Sequence, residues 1–233
     1  SKVLAASALA VAASNASAVA VENGWQLTID AGVNVFDEYG NKTNVTPGSW
    51  FGMDTDKNSK IAGGEKNALA MGTDGIIIGA TTAPGASHGG VPTGSDSGTV
   101  TAPWAFFGNT GTDYFLGTAP TGSTETGLNF SGWRVTWNGI PEINMGGGAW
   151  GTGFTNGVAN FTWNGVLGDQ YTLRYRATVP VGDPSGFGGV QYELFLTGQV
   201  NAVPVPEAET WAMMLAGLGL VGGLVARRRK TLA

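Results

Sequence analysis

Cysteine is absent from the 233 residues, so neither disulfides nor thiolate metal sites hold this fold together. A chain of this length buries a core without such staples, and the absence leaves the redox compartment open. Histidine occurs once, as His88 in the Gly/Ser-rich stretch GASHGGVPTGSDSG. Ser87, Ser95 and Asp96 complete a triad by inventory, but nothing resembling a nucleophile elbow surrounds either serine, so catalysis has no motif behind it. Charged residues are only 12% of the chain while glycine supplies 39 positions, a composition that disfavours helical bundles and favours turn-rich β structure. The glycines follow no three-residue period, which excludes a collagen-like rod.

What charge there is falls unevenly. Lys2, Arg227, Arg228, Arg229 and Lys230 lie at the two ends, as do Glu207 and Glu209. The remaining 7 basic and 15 acidic residues leave the central body near −8. A body of that sign excludes nucleic acid as a partner.

Both ends read as processing segments. Residues 1–20, SKVLAASALAVAASNASAVA, combine one lysine, small apolar residues and an Ala18-Val19-Ala20 triplet, the pattern of a signal peptide cleaved before Val21. Residues 211–226 form a run without charge or proline. As a helix it would be about 24 Å long, close to the hydrocarbon thickness, with flanking side chains able to snorkel. Its AGLGLVGG core is costly in a water-exposed helix but tolerated in lipid, so a single transmembrane helix is expected here. The basic tail 227–233 keeps that end cytoplasmic and the body on the far side.

Val205, Pro206 and Glu207, a short gap, the Gly/Ala/Leu-rich run and the cluster Arg227, Arg228, Arg229 stand in that order. Together they resemble the PEP-CTERM sorting signal of exported Gram-negative proteins, with Ala208 in place of the usual second proline. The resemblance implies recognition by an exosortase, transient residence in the inner membrane and delivery to the cell surface or extracellular matrix, in company with exopolysaccharide. Residues 204–210 then serve as an extended linker, stiffened by Pro204 and Pro206, that presents the processing site.

Between the ends, residues 21–203 show the two-residue period of half-buried strands. QYTLRYRATV alternates Tyr171, Leu173, Tyr175, Ala177 and Val179 with Thr172, Arg174, Arg176 and Thr178. GWRVTW, VANFTW and QYELFLTGQV repeat the pattern, with Trp133, Trp137 and Trp163 on the apolar side; WQLTI, GIIIG, APWAFFG and TDYFL are less regular candidates. Asn164 to Gly168 fits a hairpin loop between two of these strands. The expected fold is all-β, an antiparallel β-sandwich or jelly-roll-like body.

One stretch has metal-ligand spacing. DTDKNSKIAGGE sets Asp54, Asp56, Asn58, Lys60 and Glu65 at positions 1, 3, 5, 7 and 12 of a twelve-residue calcium loop, where hard oxygens at alternate residues converge as the chain wraps an ion. Against that pattern, Ser59 replaces the glycine of position 6, and Lys57, Lys60 and Lys66 bring positive charge. Trp50 and Trp150, flanked by Ser, Gly and Thr, are the tryptophans expected to stack on a ligand such as a sugar ring. Arg134, Arg174 and Arg176 are expected on the wet side of their strands, and Glu142 and Glu193 are carboxylates whose spacing supports no glycosidase pair. The expected function is therefore an exported, non-enzymatic matrix or adhesive protein. A carbohydrate-binding module is the alternative and a secreted hydrolase a third reading.

Overall fold

Tyr171, Leu173, Tyr175 and Ala177 are all at most 1% exposed, while Thr172 and Arg174 between them are exposed: the alternation in the sequence is realised in the strand Gln170–Thr178. In the computed structural model, which describes residues 18–69, 72–81, 113–136 and 140–202, that strand is the thirteenth of fourteen. In chain order they are β1 (Trp25–Ile29), β2 (Asn34–Phe36), β3 (Lys42–Val45), β4 (Trp50–Met53), β5 (Lys66–Ala68), β6 (Gly72–Ile77) and β7 (Asp113–Leu116). There follow β8 (Gly122–Ser123), β9 (Gly127–Asn129), β10 (Trp133–Thr136), β11 (Ile143–Asn144), β12 (Val158–Thr162), β13 and β14 (Gln191–Ala202). A 3₁₀ turn, Gly63–Glu65, precedes β5. All-β is thus the fold class, and no helix among the described residues is long and apolar enough to cross a membrane. The expected span 211–226, the signal segment up to Ser17, APWAFFG and His88 lie outside the described residues.

The main sheet has nine strands, seven of them in the order β5-β4-β14-β13-β12-β9-β8, with β1 beside β14 and β6 beside β1. The twelve-residue β14 pairs antiparallel with the whole of β13 on one side, and on the other its first half pairs with β4. The hairpin β12–β13 forms in the register Phe161↔Leu173. Its loop is built by Gly165 and Gly168, both near φ +87, and by Asn164, which accepts from Val166 N–H (3.0 Å) and donates to Asp169 (2.6 Å). Among the described residues a three-stranded sheet β11-β10-β7 and the hairpin β2-β3 accompany it.

The core lies where the small sheet meets the large one. Trp133 of β10, 1% exposed, packs edge-on against Tyr175 of β13 (5.8 Å), Tyr192 of β14 (5.7 Å) and Phe51 of β4 (6.5 Å). Trp163, also expected inside, is 6% exposed and meets Trp25 edge to face. The hydroxyls of Tyr175 and Tyr192 are buried without a hydrogen-bond partner, and burial pushes both phenols up. β4 gave no alternation in the sequence because both its faces are covered: all four residues, WFGM, are buried.

Candidate functional site

The acidic loop follows directly from β4. Asp54 N–H donates to Gln191 O (2.9 Å), so the first carboxylate of the loop is fixed to β14 and is 7% exposed. The chain then turns back through two left-handed residues, Lys57 (φ +59) and Ser59 (φ +63). A non-glycine residue in that region is uncommon and has to be held there. Here Asp54 holds it, accepting from Asn58 N–H (3.0 Å) on one oxygen and from Ser59 N–H (2.7 Å) on the other. The serine at position 6 therefore does not prevent the sharp turn that the sequence pattern reserves for glycine.

Asp56 accepts from Asn58 N–H (3.1 Å) and from the Asn58 amide (2.7 Å). Glu65 reaches back across the loop to Thr55 N–H (2.7 Å), the Thr55 hydroxyl (2.6 Å) and Ala62 N–H (2.9 Å). Burial opposes its ionisation, but these donors outweigh burial and hold the carboxyl below its ordinary value. The outcome is convergence: ligand oxygens of Asp54, Asp56 and Glu65 lie within 4.8 Å of one another. Asn58 joins the same turn, whereas Lys60 is exposed. Ile61 anchors the loop on the sheet, where a Cβ on Gly52 would collide with its Cγ2 atom.

Glu193 lies opposite Gly52 in the next strand and is 1% exposed, although it belongs to the face read as wet. Arg174 donates to one of its oxygens through Nε (2.9 Å) and Nη2 (2.6 Å), and Arg176, directly across the ladder, donates to the other through Nε (2.6 Å). Arg134 pairs instead with Glu142 at 3.3 Å. The three arginines are therefore engaged by carboxylates rather than forming a free basic patch.

Trp50 and Trp150 depart from the open, loop-borne position expected of them. Trp50 is in β4 rather than a loop, and both are 7% exposed. Lys66 sits over the Trp50 ring at 4.5 Å, and Phe195 stacks on it at 5.6 Å. Arg176 covers Trp150 at 4.5 Å, while the Trp150 indole donates to Tyr192 O (2.9 Å). Each ring has a face already given to a cation. Sequence reading missed this layer because its partners come from distant strands; the one local signal was Phe195 interrupting a polar face. Beside the layer opens a cleft of about 450 Å³ whose walls include Asn44, Trp50, Lys66, Arg174 and Phe195.

The residues of the sorting signal, Val205, Pro206, Glu207 and Arg227 to Arg229, lie outside the described residues. Their assignment comes from comparison with known families: residues 204–230 match the PEP-CTERM protein-sorting motif. The chain carries a PEP-CTERM sorting motif. That motif supports export and processing by an exosortase, and the match begins one residue before the segment Val205–Lys230 on which the resemblance was drawn. No curated protein and no solved structure matches the chain.

Proposed function

We propose that this chain is an exported structural or adhesive protein, a two-sheet β-sandwich without catalytic activity. In this reading its C-terminal segment spans the inner membrane until an exosortase acts on the PEP-CTERM motif, after which the body is delivered to the cell surface or matrix beside exopolysaccharide. The observation that carries it is the sorting motif placed at the end of an all-β body. The packing of Trp133 against three strands of the large sheet supports the sandwich. The engagement of Glu142 and Glu193 in arginine pairs supports a structural role for the carboxylates that stood nearest to acid–base chemistry.

A second reading, carbohydrate binding, is favoured by the cleft at Phe195, where an aromatic pair stands beside Lys66 and Arg174. One experiment separates the readings. Incubating the purified body with the producing cell's own polysaccharide leaves polymer length unchanged under both, and shortened polymer contradicts both. Retention of the polymer that falls at least fivefold in Phe195→Ala would favour the module; no retention favours the structural protein.

The loop 54–65 is proposed to take Ca²⁺ through Asp54, Asp56, Asn58 and Glu65, since hard oxygens gathered this closely suit that ion. Calorimetric titration is expected to give a Kd of about 10⁻⁴ to 10⁻³ M, the range of extracellular modules. Absence of heat, with an unchanged melting temperature, would remove calcium from the account.

A further inference from the structure

The N-terminal segment offers a signal peptidase two registers. Ala18-Val19-Ala20 directs cleavage before Val21, and Ala16-Ser17-Ala18 presents the same small-x-small pattern two residues earlier, directing cleavage before Val19. Side-chain size does not separate them, because the flanking residues Ala16, Ala18 and Ala20 are all alanine. What differs is how much of the folded body each cut leaves intact. Val19 N–H donates to the Thr124 hydroxyl (3.1 Å) and Thr124 N–H donates back to Val19 O (3.0 Å). Ala20 pairs antiparallel with Ser123, and Val21 N–H donates to Gly122 O (3.1 Å). Val19 to Val21 thus run antiparallel beside β8, the last strand at that end of the sheet order, through one isolated bridge and its flanking hydrogen bonds.

We propose that the mature protein begins at Val19, with cleavage after Ala18. The inference rests on the export reading and fixes where the leader ends. Cleavage after Ala20 would discard both Val19 hydrogen bonds and reopen the β8 edge, which native sheets keep covered. It would also discard the Val19 side chain, which packs on the core and stands 3.1 Å from where a Cβ on Gly165 would be. Cleavage after Ala18 keeps the bridge and its hydrogen bonds and sets the ammonium on half-buried Val19. That residue borders a cleft of about 690 Å³ shared with Thr124, Asn164 and the carboxylate-bearing Glu125.

The test is the N-terminal mass of the protein recovered from outside the producing cell, together with two variants that block one register each. Ala20→Glu spoils only the later triplet at an exposed position, and Ala16→Glu spoils only the earlier one. The expected result is a Val19 start in the wild type and in Ala20→Glu, with that start lost in Ala16→Glu. A Val21 start in the wild type, or unprocessed protein in Ala20→Glu, overturns the assignment and leaves export standing. A recovered chain that still contains Lys2 overturns the leader reading as well.

Discussion

Glu193 shows how far one side chain's role depends on partners that its own strand does not reveal. It alternates with apolar neighbours as a solvent-facing residue does, yet it is buried beneath Arg174 and Arg176, and those arginines remain 47% and 20% exposed. The cluster is asymmetric. Removing the carboxylate leaves two cations that can still reach water, whereas removing both cations strands a buried anion. Glu193→Gln is therefore expected to cost about 1–2 kcal/mol. The double variant Arg174→Met, Arg176→Met is expected to cost about 3–5 kcal/mol. Denaturant unfolding of both variants measures the order, and a reversed order would mean that Glu193 is not held by these arginines. The inward places of Trp133 and Trp163 were legible because alternation within one strand is enough to assign them. Those of Trp50 and Trp150 were not, because Lys66, Arg176 and Phe195 cover them from other strands.

At the scale of elements, hairpins and loops were readable where the chain folds on itself. The loop at Asn164–Gly168 and the carboxylate turn after β4 are both written in adjacent residues, and both form. The short strands β5, β8 and β11 gave no sequence signal, since two or three residues are too few to display a period. The carboxylate turn has a pH dependence of definite sign. Glu65 is held below its ordinary value of 4.5, so its contribution to stability is complete above that pH and is lost as pH falls through the lower folded value. Scanning calorimetry from pH 6 down to about pH 3 is expected to show a smaller loss of melting temperature in Glu65→Gln than in the wild type, because the amide has no proton to gain. Equal losses would mean that the hydrogen bonds from Thr55 and Ala62 do not stabilise the folded loop.

At the scale of the whole molecule, the class of fold was legible from glycine, turn chemistry and period-two strands. The way the strands assemble was not, since the pairing of β14 with β4 joins residues some 140 positions apart. The sorting motif was legible for a different reason: such a signal is read by an enzyme as a linear sequence. The central claim is that an exosortase removes this signal from an exported β-sheet body. Intact mass of the protein recovered from the surface of producing cells, with and without their exosortase, tests it directly. The account predicts a chain lacking Arg227–Lys230 from cells that have the enzyme, and a membrane-held chain retaining those residues from cells that lack it. A full-length chain with its arginines, found in the cytosol of both, would contradict it.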